Sequence, residues 1–172
     1  MNTSAKILIM ENEEILSRLH RMAFEIYERN YDNQMLHVIG VNERGGYLAS
    51  KILEYLRKVS PLEFVYSQAM VDKYTDPVSY GIQLEMDPND LKGQDVIVVD
   101  DVLYTGRTLL NVVAILLQAG PSTIQTAILV DRGHRSLPIS PDFVGVELAT
   151  TLQQHVSVEI DREQEIAQAY LQ

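Results

Sequence analysis

Apolar residues recur every three or four positions in two long segments of the chain, and this spacing predicts two amphipathic helices. The first segment covers residues 11–30, and its predicted buried face consists of Ile15, Leu19, Met22, Ala23 and Ile26. The second helix, of about fifteen residues, should begin at Gly45-Gly46 and end before Pro61. Its predicted inward face consists of Tyr47, Ala49, Ile52, Leu53 and Leu56.

Shorter apolar runs, several of them rich in β-branched residues, predict strands. The predicted strands cover residues 36–41, 63–72, 78–85, 96–99, 124–130, 143–148 and 156–160, with a polar turn at 73–77. A third helix is expected over residues 106–119, where Gly120 would end it, and Asp161 would cap a terminal helix. Because helices alternate with strands that read as unbroken apolar runs, we expect a single α/β domain over residues 1–172 with a mostly parallel sheet.

Composition and charge exclude several classes of function. The chain has 46% hydrophobic residues and can bury a substantial core, whereas its net charge of −10 argues against broad, nonspecific binding of nucleic acid. It has no cysteine, which excludes disulfides and thiolate catalysis. The uncharged stretch 108–130 is interrupted by Gly120-Pro121, and the apolar run near the start is only four residues long. We therefore expect a cytoplasmic protein with neither a membrane span nor a signal peptide.

The strongest chemical motif is the segment 96–108, which reads VIVVDDVLYTGRT. An apolar strand is expected to end at two carboxylates, which accept hydrogen bonds and therefore suit the hydroxyls of a ribose. The following residues open a helix, whose first backbone N–H groups and dipole favour a phosphate. Two acidic residues at a strand end, or a short loop that opens a helix, would each be explained by an ordinary turn between a strand and a helix. The two features together favour a phosphorylated sugar. The predicted ribose-phosphate contacts are Asp100, Asp101, Val102, Leu103, Tyr104, Thr105, Gly106, Arg107 and Thr108.

A second strand–loop–helix segment, residues 38–46, reads VIGVNERGG and suits a diphosphate. Arg44 carries a planar, permanently charged guanidinium, and the glycines after it leave backbone amides accessible. In open α/β sheets, ligands bind beyond the carboxyl ends of the strands, so the chemistry is expected in the loops 42–46, 100–108 and 131–135. The predicted diphosphate contacts are Asn42, Glu43, Arg44 and Gly45.

These motifs resemble those of a known family. The segment 96–108 is similar to the donor-binding signature of type I phosphoribosyltransferases, which use 5-phosphoribosyl 1-diphosphate (PRPP), and residues 38–46 are similar to their diphosphate loop. The segments 131–139 (DRGHRSLPI) and 142–145 (DFVG) resemble the PyrR family, whose members combine attenuation of pyrimidine operons with uracil phosphoribosyltransferase activity. The resemblance implies the type I phosphoribosyltransferase fold and a homodimer or larger homo-oligomer. It also implies a small hood subdomain built from the N-terminal segment and residues 135–172.

The reaction implied by this resemblance is transfer of the 5-phosphoribosyl group from PRPP to a nucleobase nitrogen, with release of diphosphate. The expected catalytic residues are Arg44, Asp100, Asp101 and Lys73. Lys73 is included because its segment resembles the family's closing loop. Mg²⁺ would arrive on the phosphates of PRPP, and Asp100 and Asp101 would reach it through water.

Uracil, which gives uridine 5′-monophosphate (UMP), is the expected acceptor because of two positions in these motifs. The 6-oxopurine members place an aspartate and a lysine where this chain has Tyr104 and Asp131, whereas the PyrR family has an aromatic residue and an aspartate there. The chain departs from the PyrR pattern at Val146-Glu147. Phe143 would either stack on the base or pack in the core. The expected base contacts are Tyr104, Asp131, Phe143 and Val144.

Three other functions stay open at this point. The first is a regulatory RNA-binding protein, since the family uses basic residues of the 131–135 block on messenger RNA and this chain has Arg132, His134 and Arg135. Ser140 replaces a basic residue of the family pattern and the protein is acidic, so any RNA binding is expected to be weak. The others are a purine-specific phosphoribosyltransferase and a nucleotide sensor that binds without turnover.

Overall fold

A six-stranded, mostly parallel sheet forms the centre of the protein, and a computed structural model describes residues 6–73, 80–151 and 153–172. Every neighbouring pair of strands is parallel except β3 and β4, which pair antiparallel at one edge. In spatial order the strands are β4 (Gly81–Leu84), β3 (Glu63–Asp72), β2 (Met35–Val41), β5 (Asp95–Leu103), β6 (Thr123–Asp131) and β7 (Phe143–Glu147). The predicted α/β fold with a mostly parallel sheet is therefore confirmed.

Helices cover both faces of this sheet. α1 (Asn12–Asn30) and α2 (Asn42–Val59) pack on one face, where Val38 of β2 belongs to their hydrophobic cluster. α3 (Arg107–Gln118) packs on the other face with the next residue of the strand, Ile39. Successive strand residues point to opposite faces, so the unbroken apolar run of β2 serves both clusters. All five residues predicted to face inward from α1 are fully buried.

Helix α2 begins at Asn42 and not at the predicted glycine pair, so residues 42–46 are a helical turn instead of a loop. Glycine weakens a helix interior by roughly 1 kcal/mol relative to alanine, which is why a glycine pair favours a helix start. Here close packing requires the glycine, because a Cβ added to Gly45 would lie 2.4 Å from the carbonyl oxygen of Val99. Of the predicted inward face of α2, Tyr47 is half-buried and the other four residues are buried.

A separate three-stranded antiparallel sheet combines the two ends of the chain. It consists, in spatial order, of β1 (Ile7–Met10), β9 (Ile166–Leu171) and β8 (Val156–Asp161). The predicted terminal helix after Asp161 is wrong. The Asp161 carboxylate accepts two backbone N–H groups at 2.9 and 3.0 Å in a turn that leads into β9. An aspartate that bonds to the amides just after it starts a turn as readily as a helix.

The other predicted elements differ from the structure mainly at their ends. The strand predicted over 96–99 extends to Leu103, and β4 begins at Gly81. The predicted polar turn at 73–77 lies, apart from Lys73, outside the described residues, as do residues 78 and 79. Among the helices of residues 6–73, 80–151 and 153–172, none is both long and apolar enough to cross a membrane.

His37 makes the stability of the sheet dependent on pH. It is 4% exposed, and its Nδ1 has no hydrogen-bond partner in the described part of the chain. Burial lowers the pKa of its imidazole below 6.5, although the negative charge of Asp90 opposes this shift. The unfolded chain therefore binds a proton more readily, and the contribution of neutral His37 to stability is full above pH 6.5 and is lost as the pH falls below it.

We expect the free energy of unfolding to fall less steeply with acidification in His37→Leu than in the unmodified protein, because leucine has no proton to gain. Urea unfolding at a series of pH values measures this difference. The same pH dependence in both proteins would contradict the assignment.

Candidate active site

A cavity of about 270 Å³ opens at the carboxyl ends of the central strands. Residues 100–109, from the end of β5 to the first turn of α3, form most of its lining. Arg44, Lys73, Arg132 and His155 reach the same cavity from other parts of the chain. The cavity therefore lies where ligands bind in open α/β sheets.

Asp100 and Asp101 belong to β5, which was predicted to end at these two carboxylates and instead continues to Leu103. Asp101 faces α2, where its carboxylate lies 3.6 Å from Nη1 of Arg44. Asp100 points to the opposite face of the sheet and is 9% exposed. The Asp100 carboxylate accepts the backbone N–H of Asp101 at 2.9 Å, and the Asp101 carboxylate accepts that of Val102 at 2.9 Å. Both side chains are thus held in place before any ligand binds.

The two adjacent carboxylates leave an excess of negative charge at this position. Burial raises the pKa of Asp100 well above its usual 3.8, and the negative charge of Asp101 adds to the rise. Ribose hydroxyls or a hydrated cation would stabilise the ionised form. Mg²⁺ usually keeps several waters and takes one or two carboxylates together with substrate phosphates, so the pair fits it. Within the described residues, no group of three or more His, Cys, Asp or Glu side chains could hold a metal ion.

The loop between β5 and α3 holds the N-terminus of α3 at the cavity. Gly106 caps the helix with a φ of 83°, a left-handed conformation that favours glycine. The Thr105 carbonyl accepts the backbone N–H of Ser136 at 3.0 Å, which ties the loop to the chain after β6. The first N–H groups of a helix have no partner inside it, and the dipole favours negative charge there. This end of α3 therefore has the geometry of a phosphate site.

Arg44 lies at the start of α2, beside a second cavity of about 250 Å³ that adjoins the first. The Arg44 side chain is about half exposed, and its guanidinium forms an ion pair with Asp101. Gly45 does not line this cavity, although it allows α2 to approach β5 closely. The polar residues of the lining are Asn42, Glu43, Arg44, Lys73, Asp100, Asp101 and Thr108.

Tyr104 and Arg132 form one wall of the first cavity. Cζ of Arg132 lies 4.1 Å from the centre of the Tyr104 ring, and the residue is only 2% exposed. Nε of Arg132 donates to the hydroxyl of Thr150 at 3.0 Å, and Nη2 donates to the carbonyls of Thr151, at 3.2 Å, and Gln154. Burial lowers the pKa of the Arg132 guanidinium. The buried guanidinium of Arg132 thus connects the Tyr104 ring to the segment that leads into β8.

The basic residues of the block 131–135 differ in their exposure, and their contact with RNA stays a prediction. Arg132 is buried, and its Nε and Nη2 groups donate to acceptors within the protein. His134 bonds through Nε2 to the carbonyl of Thr150. Arg135, with 32% of its side chain exposed, forms an ion pair with Asp131.

Three of the four predicted base contacts do not line the cavity. Asp131 is 2% exposed, and its carboxylate accepts a backbone N–H and pairs with Arg135. Phe143 is 4% exposed and packs in the core at the start of β7, away from the carboxyl end of that strand. The carbonyl of Val144 accepts a hydrogen bond from an arginine of α1. Tyr104 is the predicted base contact that does line the cavity.

Tyr80, His155 and Val156 also line the cavity, although the sequence carries no local signal for them. His155 precedes β8, and its backbone exchanges hydrogen bonds of 2.7 and 2.8 Å with Gln172. Alternating apolar residues predicted a strand at this point. The pattern could not show which part of the molecule the strand would meet.

Known proteins show the same organisation over nearly the whole chain. Residues 9–163 match the phosphoribosyl transferase domain. The chain is 40% identical over 164 residues to the bifunctional protein PyrR of Deinococcus radiodurans, with 92% of this chain and 90% of that protein covered. It is 36% identical over 159 residues to the PyrR protein of Elusimicrobium minutum, with 89% of each covered.

A solved structure shares the fold. Hypoxanthine phosphoribosyltransferase from Trypanosoma cruzi, in complex with the product IMP, superposes with a TM-score of 0.74 and 20% sequence identity. The superposition covers 86% of this chain and 83% of that one. The type I phosphoribosyltransferase fold predicted from the motifs is thereby confirmed. The chain belongs to the phosphoribosyl transferase family and, within it, to the bifunctional PyrR proteins.

Proposed function

We propose that this phosphoribosyltransferase transfers the 5-phosphoribosyl group of PRPP to uracil, giving UMP and diphosphate. The observation that carries the proposal is the convergence of Asp100, Asp101, Arg44 and the N-terminus of α3 on two adjoining cavities. One cavity offers acceptors for ribose hydroxyls beside donors for a phosphate, and the other offers a cation for a diphosphate. The small sheet, which borders the first cavity near His155, serves as the hood in this proposal.

The 5-phosphate of PRPP binds at the N-terminus of α3 in this proposal, where the hydroxyls of Thr105 and Thr108 add donors to those of the backbone. The ribose hydroxyls donate to ionised Asp100 and Asp101. Because the pKa of Asp100 is raised, its carboxylate should be lost at a higher pH than that of an ordinary aspartate. Binding of PRPP should therefore weaken as the pH falls toward this raised pKa.

Transfer breaks the bond from ribose C1 to the diphosphate oxygen, forms a bond from C1 to N1 of uracil and releases the proton that N1 carried. The transition state resembles an oxocarbenium ion, and negative charge builds up on the departing diphosphate. Arg44 and Lys73 stabilise that charge at the second cavity. Mg²⁺ carried on the phosphates of PRPP would neutralise part of the same charge, and Asp100 and Asp101 would hold it through water. Orientation of the base and exclusion of water complete the protein's contribution.

A screen with radiolabelled bases tests this function. The protein is incubated with PRPP, Mg²⁺ and one labelled base at a time, and the nucleotide products are separated by chromatography. We expect label from uracil to appear in UMP. Label that moves only from a purine would support a purine-specific phosphoribosyltransferase, and the absence of product with every base would support a nucleotide sensor.

Arg44→Ala should weaken PRPP binding more than UMP binding, because UMP has no diphosphate. The side chain is about half exposed, so we expect a loss of about 1 kcal/mol for PRPP, or roughly fivefold in affinity. Calorimetric titration with each ligand in the presence of Mg²⁺ measures the two losses. Equal losses for PRPP and UMP would show that Arg44 does not lie at the diphosphate.

RNA binding is the second activity implied by the PyrR family, and we expect it to be weak here. The protein carries a net charge of −10, and Arg132 is buried within the basic block. Neutralisation of phosphates by exposed cations supplies most of the affinity of such complexes, which makes them sensitive to salt. Filter binding to the leader RNA of a pyrimidine operon, over a range of salt concentrations, tests this expectation. Tight binding that persists at physiological salt would contradict it.

A further inference from the structure

We propose that Arg132 is a specificity-determining residue of this site, and that its Nη1 group donates a hydrogen bond to a carbonyl oxygen of the bound pyrimidine. This role rests on the proposed function, which places the base in the cavity beside Tyr104. It adds the polar contact that selects the base, a contact for which the sequence had indicated Asp131.

The Arg132 guanidinium is buried while part of its hydrogen-bonding capacity is unused. A guanidinium has five N–H donors and no acceptor. Nε and Nη2 donate to Thr150, Thr151 and Gln154. Within residues 6–73, 80–151 and 153–172, no hydrogen bond from Nη1 is found. Nη1 can therefore donate to an acceptor on a ligand without giving up a hydrogen bond inside the protein.

Nη1 remains open to the cavity. Among the described residues, His37 Nδ1 is the one buried side-chain polar atom that lacks a hydrogen-bond partner. Since Nη1 also lacks a partner there, it cannot be sealed from solvent. Arg132 is 2% exposed in total and lines the cavity, so the geometry points to the cavity as the place where Nη1 can meet a ligand.

The surroundings of Arg132 place a base within its reach. Its Cζ lies 4.1 Å from the centre of the Tyr104 ring, and both side chains line the cavity. Because the guanidinium covers one face of the Tyr104 ring, a flat base that meets the edge of this ring comes within reach of the guanidinium. Asp131 cannot take this role, because its carboxylate pairs with Arg135 and it does not line the cavity.

A group that only donates hydrogen bonds selects bases by their acceptors. Uracil presents two carbonyl oxygens at its edge, and either can accept from Nη1. The exocyclic amino groups of cytosine and adenine are donors and would oppose another donor. Where Nη1 reads O4, Arg132 therefore favours uracil over cytosine, which carries an amino group at that position.

Binding of UMP, 2-thio-UMP and 4-thio-UMP to the unmodified protein and to Arg132→Met tests the role, because sulfur is a poor hydrogen-bond acceptor. We expect the unmodified protein to bind one of the two thio-nucleotides about tenfold more weakly than UMP, which identifies the oxygen that is read. Arg132→Met should bind UMP about tenfold more weakly and should no longer distinguish UMP from that thio-nucleotide. Calorimetric titration gives all the affinities.

Thr150→Val is the matched control, because it removes the acceptor of Nε and leaves Nη1 intact. It should retain the preference for UMP over the thio-nucleotide. If circular dichroism shows that Arg132→Met is unfolded, Arg132→Gln takes its place, since its shorter amide does not extend to the position of Nη1.

Two results would overturn the role of Arg132. One is an unmodified protein that binds both thio-nucleotides as well as UMP, and the other is a preference for UMP that persists in Arg132→Met. The measurement uses binding alone, so it stands apart from the proposed function. A protein that binds UMP with this preference and never synthesises it would contradict the proposed activity while supporting the role of Arg132.

Discussion

Asp100→Asn and Asp101→Asn are each expected to weaken PRPP binding by about 1.5–3 kcal/mol, or roughly tenfold to a hundredfold in affinity. Each substitution removes a charged acceptor for a ribose hydroxyl and for the hydrated Mg²⁺. The effects on stability should differ. Asp100→Asn removes a buried charge whose pKa is raised by burial and by Asp101, so the folded protein should be at least as stable at neutral pH. Calorimetric titration and urea unfolding measure the two effects.

Asp95→Asn provides a matched control on the same strand. Asp95 lies at the opposite end of β5, where its carboxylate accepts a hydrogen bond from the hydroxyl of Thr123 at 2.6 Å. Its substitution should leave PRPP affinity unchanged. If both Asp100→Asn and Asp101→Asn bind PRPP as tightly as the unmodified protein, the assignment of the ribose site is wrong.

Uracil is expected to exceed hypoxanthine and guanine by tenfold or more in kcat/KM. The expectation rests on Tyr104, whose ring is held against the buried guanidinium of Arg132 and cannot easily move aside. The cavity of about 270 Å³ must hold the base together with ribose phosphate. The single ring of uracil fits the remaining space more easily than the double ring of a purine. Steady-state kinetics with uracil, orotate, hypoxanthine and guanine under one set of conditions measures the preference.

Tyr104→Ala tests the cause of this preference. If the tyrosine ring limits the size of the base, the variant should narrow the difference between uracil and the purines. A purine that is preferred by the unmodified protein would show that Tyr104 does not set the choice. The departure from the PyrR pattern at Val146-Glu147 would then become the region to examine.

Helices and strands could be predicted from the sequence where the burial of apolar side chains alone determines them. The spacing of Ile15, Leu19 and Met22 places α1 on the sheet, and the apolar run of β5 reads as a strand covered on both faces. The glycine pair at 45–46 was misread because local propensity disfavours glycine inside a helix, whereas packing against Val99 requires it. Tertiary contacts override propensity at such positions, and these contacts are not visible along the chain.

The acidic pair and the loop after it were predictable as a site because all their chemistry is contiguous in the sequence. The part of the site that holds the base could not be predicted in this way. Asp131 and Arg132 are neighbours, and the pattern could not show that the aspartate turns to Arg135 while the arginine lines the cavity. His155, the residue before β8, reaches the same cavity because the small sheet pairs β8 with β9, and this sheet depends on contacts between the two ends of the chain.

Synthesis of UMP from uracil, PRPP and Mg²⁺ tests the central claim most directly. UMP and diphosphate are quantified together over time with the unmodified protein, and Asp101→Asn serves as the variant impaired in the site. We expect the two products to accumulate in equal amounts and over many turnovers, with a much lower rate for Asp101→Asn. Binding of PRPP and UMP without formation of either product would contradict the account and identify the protein as a nucleotide sensor.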